Sequence, residues 1–289
     1  MTVTVPAFAK INLFLDIASL RDDGYHNIIS YMQSVSLADK ITVSYIPKHK
    51  KTISITCNDP KVPLSNKNLA YQAADIFPSI CGEININIEK NIPMEAGLAG
   101  GSTDAAATLV ALNSLCDKKL SPNELLSLSA GLGADVPFCV MGGAAIAEGI
   151  GEILTPAKSM PYLPIVIAKK GEGMSTPAAY KALDYKYSNF KNYNPHSDML
   201  KNLLDEKAYN NTSIFSTGLF NVFESVVEEQ RREIGEIKAI MNSDGAIKSM
   251  MSGSGTSVFG IFKNESDASR AASALESYGA TVHICNPVK

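Results

Sequence analysis

Hydrophobic and polar positions alternate over much of the first third of the chain, and this alternation predicts a sheet near its start. Residues 2–18 are rich in Val, Ile, Leu and Phe, which is typical of one or two strands, with Pro6 at a bend or an edge. In residues 83–90, Ile84, Ile86 and Ile88 alternate with polar side chains, as expected of a half-buried strand. Further strands are predicted at 27–37, 41–46 and 52–57, and helical spacing predicts a helix at 68–77.

The rest of the chain mixes helical and strand patterns, which favours an α+β fold with antiparallel sheets backed by helices. Ser121 can cap a helix and Glu124 completes a capping box, so a helix is predicted to start there. Three prolines in residues 156–164 mark a change of composition, and we place a domain boundary there. The polar and aromatic stretch 185–196 is interpreted as a surface connection. The other predicted helices are 176–184, 198–206, 220–230, 232–243 and 265–278, and the other strands or extended segments are 136–140, 144–147, 163–168, 246–251, 257–262 and 281–285.

The composition is that of a globular protein with a large core and little net charge. Of 289 residues, 45% are hydrophobic and 19% charged, and the net charge is −3, which excludes the basic footprint of a nucleic-acid-binding protein. No apolar run is long enough to cross a membrane, and no secretory signal is recognised at the start. The five cysteines form no Cys-x-x-Cys pair and are interpreted as reduced thiols of a cytoplasmic protein. The four histidines lack metal-ligand spacing, so no protein-held metal site is expected.

A glycine-rich loop is the strongest candidate for a binding function. It runs from Pro93 into an alanine-rich helical stretch, 105–115, and follows a predicted strand. Glycines at 97, 100 and 101 let a ligand approach the backbone, and Ser102 and Thr103 are placed as helix N-caps. Amides at a helix start, together with the helix dipole, form a seat for phosphate. The alternative is an ordinary loop before a helix.

Two charged residues have apolar neighbours on both sides. Lys10 lies inside an otherwise apolar strand, where it must pair or face a cleft, unless it snorkels at a strand edge. Asp135 lies in Leu132-Gly133-Ala134-Asp135-Val136-Pro137-Phe138, where a nearby lysine would favour its ionised form. A turn or cap role is the competing interpretation for Asp135. With a phosphate loop, these residues supply the base and the cation that phosphoryl transfer requires.

Two further turns are candidates for ligand contact. Arg21-Asp22-Asp23-Gly24-Tyr25-His26 presents an aromatic ring and an imidazole, which together suit a planar ligand. Tyr25 as a core residue and His26 as a partner of backbone groups are the alternatives. Gly253-Ser254-Gly255-Thr256 is a second glycine loop, and a tight link between two strands explains it equally well.

These motifs together resemble the GHMP kinases. The phosphate loop at 93–105, the N-terminal motif Ala9-Lys10-Ile11-Asn12-Leu13 and the C-terminal motif Ser252-Gly253-Ser254-Gly255 all carry the resemblance, which spans nearly the whole chain. Three more segments are similar to the branch that acts on 4-diphosphocytidyl-2-C-methyl-D-erythritol. They are the turn at 21–26, Met32-Gln33-Ser34 and the Asp135 segment, and the stretch 144–152 also fits.

The resemblance implies a two-domain fold, with a ribosomal-protein-S5-like N-terminal ATP-binding domain at 1–156 and a ferredoxin-like C-terminal domain at 157–289. It implies a reaction in which the γ-phosphate of ATP passes to the 2-hydroxyl of the cytidine-linked methylerythritol, a step of the non-mevalonate route to isoprenoid precursors. ATP acts as co-substrate, and Mg²⁺ is bound mainly through its phosphates. The expected partners are these small molecules, without nucleic acid or membrane, in a monomer or weak homodimer.

The resemblance also implies roles for single residues. Asp135 matches the catalytic base and Lys10 its cationic partner. Tyr25 and Tyr180 match aromatic residues that clamp the cytosine, His26 would bind the base edge, and Asn12 would touch the substrate. The ATP loop corresponds to Pro93, Met94, Glu95, Ala96, Gly97, Leu98, Ala99, Gly100, Gly101, Ser102 and Thr103.

The chain departs from the family pattern at several positions. The family often has Gly at the positions of Glu95, Ala96 and Ala99, and Thr256 replaces a usual proline. We expect Glu95 to face solvent, since an inward carboxylate would oppose phosphate. Two alternatives stay open: another kinase of the superfamily, acting on mevalonate derivatives, homoserine or a sugar, and a non-catalytic nucleotide-sensing module.

Overall fold

The computed structural model of the chain describes residues 1–78, 80–191, 193–204 and 214–289. The chain divides into two compact units, and each is made of separate segments. The first comprises Met1–Ala9, Ala38–Pro93 and Ala99–Gly142, and the second comprises Lys10–Leu37, Met94–Leu98 and Gly143–Lys289. The domain boundary placed at residues 156 and 157 stays a prediction.

The sheet of the first unit includes the strand that alternating isoleucines predict at residues 83–90. Strand β4 (Gly82–Glu89) pairs antiparallel with β2 (His26–Pro47) and parallel with β3 (Thr52–Cys57). The side chains of Ile84, Ile86 and Ile88 are buried, so the predicted half-buried strand is confirmed. β2 is one continuous strand where two were expected, and β1 (Thr2–Leu20) is likewise a single strand.

Four helices complete the first unit. They are α1 (Leu69–Ile76), α2 (Gly100–Leu115), α3 (Pro122–Ala130) and α4 (Val136–Met141). The core packs buried side chains of α1 and α2 with those of β2 and β4. The capping box at the start of α3 is confirmed, because the Ser121 hydroxyl accepts from the Glu124 amide and the Glu124 carboxylate accepts from the Ser121 amide. The strand or extended segment expected at 136–140 is wrong, since Pro137 in the first turn fits a helix start.

The second unit contains a four-stranded antiparallel sheet in the order β11-β7-β10-β9. Its strands are β7 (Ile165–Lys169), β9 (Lys248–Met251), β10 (Val258–Ile261) and β11 (Thr281–Cys285). Helix α9 (Arg232–Ser243) precedes β9, and α10 (Glu265–Ser277) joins β10 to β11, which gives the βαββαβ order of a ferredoxin-like fold. Gly279 has a positive φ of 86° just past α10, which is typical of a glycine that ends a helix.

The other elements of the second unit lie mostly between β7 and α9. Phe220 and Asn221 form a short strand parallel to β1, so the helix expected at 220–230 begins later, at Glu224. Part of the helix expected at 198–206 lies outside the described residues. The elements are β5 (Ala144–Glu148), β6 (Ile153–Pro156), α5 (Thr176–Lys186), a 3-10 turn (Ser188–Phe190), α6 (Ser197–Leu204), α7 (Ile214–Gly218), β8 (Phe220–Asn221) and α8 (Glu224–Gln230).

The stretch 185–196 is only partly the surface connection that we expected. Phe190 is buried, and its ring contacts those of Tyr187 and Tyr193 at centroid distances of 5.4 and 5.1 Å. Tyr185, in contrast, is 92% exposed. Phe190, Tyr187 and Tyr193 therefore form a packed aromatic cluster within a polar segment.

Candidate active site

The carbonyl groups of the loop segment Met94–Leu98 are held by donors of the second unit. Ser257 donates its amide to the Ala96 carbonyl at 3.2 Å, and the Ser252 hydroxyl donates to the Gly97 carbonyl at 3.0 Å. The Lys10 amide donates to the Leu98 carbonyl at 3.2 Å, and the Lys169 ammonium donates to that of Met94. Four of the five carbonyls in this segment are thus satisfied by protein groups.

The loop backbone turns left-handed at alternate positions. Glu95, Gly97 and Ala99 have φ values of 48°, 72° and 59°. Within the described part of the chain, none of the amides of residues 94–99 donates a hydrogen bond to a protein group. Alternation of right- and left-handed residues makes an anion-binding concavity of backbone amides. Glu95 is exposed, as we expected.

Helix α2 begins earlier than predicted. It starts at Gly100, with Ala99 as a left-handed N-cap that makes no side-chain hydrogen bond, so the capping role assigned to Ser102 and Thr103 is wrong. Both residues lie in the first turn, and the Thr103 hydroxyl donates to the Phe8 carbonyl at 2.7 Å. The first amides of α2 thus follow the loop directly, and uncapped amides at a helix N-terminus are typical of an anion-binding position.

Lys10 and Asn12 are buried together in the second unit. The Lys10 ammonium donates to the Asn12 side-chain oxygen at 2.6 Å, and the Asn12 side-chain nitrogen donates to the Ser30 hydroxyl at 2.8 Å. A Cβ added to Gly253 would lie 3.3 Å from the Lys10 nitrogen, so the glycine motif at 253–255 packs directly on this lysine. Asn221 fixes that motif by donating to the Met251 and Gly253 carbonyls at 2.8 Å.

Asp135 lies in the first unit, at the N-cap of α4. Its carbonyl accepts from the Cys139 amide at 3.1 Å, whereas its side chain makes no capping hydrogen bond. The carboxylate is half-buried, which leaves it accessible to a ligand. Its pairing with Lys10 stays a prediction.

Two of the residues assigned to cytosine binding contact each other in the second unit. The His26 imidazole stacks on Tyr180 with ring centroids 4.8 Å apart and an interplanar angle of 26°. His26 Nε2 lies 2.7 Å from an Asp184 carboxylate oxygen, which fixes the orientation of the imidazole. Tyr25 is 62% exposed beside them in sequence, on a turn closed by the Gly24 amide and the Arg21 carbonyl. Asp184 was missed by sequence analysis, although its position four residues after Tyr180 on a predicted helix placed both on one face.

A buried ionic cluster of Asp39, Lys90 and Asp104 was also missed. The Lys90 ammonium donates to both carboxylates, at 2.9 Å to Asp104, and the Asp39 carboxylate also accepts from the amides of Asn91 and Ile92 at 2.6 and 2.8 Å. All three side chains are at most 5% exposed. Burial raises the pKa of Asp104 to about 7, although Lys90 opposes the shift.

The described residues contain no cluster of three or more His, Cys, Asp or Glu side chains suited to hold a metal ion. All five cysteines are free thiols. No helix in the described ranges has both the length and the apolar character of a membrane span.

Comparison with known families matches both parts of the chain. The model of the GHMP kinase N-terminal domain matches residues 68–143, and that of the GHMP kinase C-terminal region matches residues 199–281. A 4-diphosphocytidyl-2-C-methyl-D-erythritol kinase from Caldicellulosiruptor saccharolyticus is 45% identical over 273 residues, which cover 93% of this chain and 91% of the relative.

Solved structures of GHMP-type kinases also match the fold of this chain. A crystal structure of 4-(cytidine 5'-diphospho)-2C-methyl-D-erythritol kinase matches with a TM-score of 0.80 and 30% identity, covering 99% of this chain and 100% of the other. A homoserine kinase from Cytophaga hutchinsonii has a TM-score of 0.71 at 19% identity, with coverage of 99% and 94%. The second likeness concerns the fold alone.

Proposed function

Because the chain belongs to the 4-diphosphocytidyl-2-C-methyl-D-erythritol kinase family of the GHMP kinases, we propose that it transfers the γ-phosphate of ATP to the 2-hydroxyl of that cytidine-linked substrate. The bond between the γ-phosphorus and the bridging oxygen breaks, a bond from the substrate oxygen to phosphorus forms, and ADP leaves. The product is the 2-phosphate, and the proposed setting is the cytoplasmic non-mevalonate pathway to isoprenoid precursors.

The loop at 93–103 supports the ATP-binding part of the proposal. Its carbonyls are engaged by Ser252, Ser257, Lys10 and Lys169, while the amides of residues 94–99 remain available for an anion. Such preorganised amides stabilise the charge that grows on the transferring phosphoryl group without reorganising during the reaction. This arrangement is the observation that carries the proposal.

Asp135 is proposed to accept the proton of the 2-hydroxyl, and Lys10 to hold that carboxylate ionised and stabilise the reacting oxygen. The absence of a capping bond on the Asp135 side chain supports this role, because the carboxylate is then not committed to its own helix. Asn12 supports Lys10 by accepting from its ammonium group. A tertiary alcohol is hindered and weakly acidic, so its placement beside the γ-phosphate contributes much of the rate.

His26, Tyr180 and Tyr25 are proposed to bind the cytosine. Asp184 holds the His26 imidazole in place, so its other edge is presented at a fixed angle. Tyr25 is exposed and can cover the base from the solvent side by stacking. A flat pyrimidine is the substrate group that this pair suits, which favours the cytidine-linked substrate over mevalonate or homoserine.

Mg²⁺ would neutralise charge on the ATP phosphates when it is bound. Mg²⁺ commonly takes few protein ligands where substrate phosphates bind it, which fits an ion held mainly by the nucleotide.

A phosphoryl-transfer assay with the cytidine substrate and ATP, followed by phosphorus NMR, tests the proposal. We expect a new 2-phosphate and ADP in equal amounts. Asp135→Asn should lower kcat by about 100-fold or more and leave the affinity for substrate nearly unchanged. Asp117→Asn, which changes an exposed carboxylate of the same unit, serves as the control.

Three results would contradict the proposal. Equal turnover by Asp135→Asn would remove the base assignment. Phosphorylation of mevalonate or homoserine in preference to the cytidine substrate would place the chain in another branch of the superfamily, and nucleotide binding without any product would favour a sensing module.

A further inference from the structure

The cluster of Asp39, Lys90 and Asp104 takes no part in the reaction proposed above, yet it is among the most deeply buried groups of charges in the first unit. Two carboxylates surround one ammonium group, and one Asp104 oxygen has no hydrogen-bond partner in the described part of the chain. Burial of unbalanced charge is costly, so a stabilising role alone does not explain the cluster.

The three residues lie at the two ends of the phosphate loop. Lys90 follows strand β4, and Asn91 and Ile92, whose amides bind Asp39, lead into Pro93 where the loop begins. Asp104 lies one turn into α2, where the loop ends. The ion pair of Lys90 and Asp104 therefore joins the strand before the loop to the helix after it.

Gly100 shows how closely the cluster approaches the start of α2. A Cβ added there would lie 3.2 Å from the Lys90 nitrogen and 3.3 Å from the Ile92 side chain. The Lys90 ammonium thus lies against the first residue of α2.

We propose that Asp39, Lys90 and Asp104 are positioning residues that hold both ends of the loop at the separation needed to grip the nucleotide phosphates. This inference rests on the proposed ATP-binding role of the loop. Fixing the ends of a short loop removes conformational freedom before the ligand arrives, so binding costs less entropy. Lys90 is too deeply enclosed by the two carboxylates to act as a phosphate ligand itself.

Asp104→Ala is the decisive variant, because it severs the link while Lys90 keeps Asp39 as a balanced partner. Alanine also preserves the helix. We expect the dissociation constant for a non-hydrolysable ATP analogue, measured by titration calorimetry, to rise about tenfold. The affinity for CDP should change less than twofold, and KM for ATP should rise while KM for the cytidine substrate does not.

If Asp104 acted only through its charge, Asp104→Ala would bind the nucleotide more tightly, not more weakly. Loss of a carboxylate near an anion site would tighten nucleotide binding, so the sign of the change separates positioning from electrostatics. Asp104→Asn keeps an oxygen for the Lys90 ammonium and should restore binding to within threefold of wild type. Asp75→Ala, an exposed carboxylate on α1 of the same unit, is the matched control.

The experiment distinguishes failure of the positioning role from failure of the proposed kinase function. If wild type makes the 2-phosphate but Asp104→Ala binds the nucleotide as tightly as wild type or more tightly, the positioning role is overturned and the kinase stands. If wild type does not bind the ATP analogue at all, the proposed function fails first. Should Asp104→Ala not fold, Asp104→Leu replaces it, because leucine has nearly the shape of aspartate but offers no acceptor to the Lys90 ammonium. About tenfold weaker nucleotide binding by folded Asp104→Leu supports the proposal, and binding as tight as that of wild type overturns it.

Discussion

The carboxyl group of Asp104 is buried beside a second carboxylate, Asp39, with the single ammonium group of Lys90 between them. Burial raises the pKa of Asp104 from its ordinary 3.8 to about 7. The folded chain therefore binds this proton more tightly than the unfolded chain does between pH 4 and pH 7. The contribution of this group to the free energy of unfolding is present below about pH 4 and is lost as the pH rises through about 7.

Asp104→Asn should remove this pH dependence, because an amide mimics the protonated carboxyl at every pH. Relative to wild type, the variant should gain stability as the pH is raised from 5 to 8. Urea unfolding at both pH values measures the difference, with Asp22→Asn on an exposed turn as the control. A difference that stays constant across this range would show that the carboxyl does not titrate there.

Tyr180 offers a second test at the residue scale. Replacement by alanine removes the ring that stacks on His26 and should weaken the binding of CDP by up to about tenfold, since a stacking contact contributes roughly 0.5–1.5 kcal/mol. Tyr185→Ala changes a tyrosine of the same helix that is 92% exposed and should leave CDP affinity unchanged. Equal losses in both variants would argue against a specific role for Tyr180.

Single residues were predictable where a motif supplied their role, and not where the role depends on distant partners. Lys10 was expected to pair or face a cleft unless it snorkelled, and it is buried and donates to Asn12, whereas its pairing with Asp135 stays a prediction. Asp39 lies in β2, Lys90 just after β4 and Asp104 in α2, and each alone is typical of a solvated surface position. Only the fold brings their charges together, so local sequence contained no signal for the cluster.

At the scale of elements, the phosphate loop depends on backbone geometry that few residues tolerate. Gly97 has a φ of 72°, and a Cβ added there would lie 2.0 Å from the Ser252 carbonyl oxygen. Gly101, four residues later in α2, has open space, with 3.9 Å to the nearest side-chain atom. The two glycines therefore have different reasons to be present.

Gly97→Ala should lower the free energy of unfolding by more than about 2 kcal/mol, because the overlap with backbone adds to the strain of the left-handed conformation. Gly101→Ala should raise it by up to about 1 kcal/mol, as alanine favours the helix. Thermal and urea unfolding of both variants measure these changes. A Gly97→Ala variant as stable as wild type would show that the loop backbone can rearrange.

Helices and strands were predicted correctly where the alternation of apolar and polar residues, or a capping motif, was clear. The strands at 52–57 and 83–90 and the capped helix after Ser121 are confirmed. The strand or extended segment predicted at 136–140 was wrong because five apolar residues fit a buried strand and a short helix equally well. The start of α2 was misplaced because Ser102 and Thr103 are typical caps, while Ala99 takes a left-handed conformation that alanine rarely adopts.

At the scale of the whole molecule, the GHMP kinase fold was predictable because several motifs occur in the right order along the chain. Which segments of the chain make up each unit was not predictable, since each unit combines segments that are far apart in the sequence. Residues 10–37 are part of the second unit, whose largest segment begins at Gly143. No local composition marks the change within β1 at Lys10 or within β2 after Leu37.

A fragment of residues 1–156 therefore tests the predicted domain boundary. We expect it to unfold with low cooperativity, because it contains residues 10–37 without most of the segment 143–289 with which they form a unit. Circular dichroism and calorimetric melting of the fragment and the full chain measure this. A sharp two-state transition of the fragment would show that the boundary at 156 delimits an autonomous domain.

The same interleaving affects how the protein is made. Residues 10–37 leave the ribosome long before residues 143–289, with which they will pack, have been translated. During that interval the apolar side chains of their strands are not yet packed against their final neighbours. Leu15, Ile17 and Ile28 are among these side chains. The nascent chain should consequently depend on chaperone protection until synthesis is almost finished, however stable the completed protein becomes.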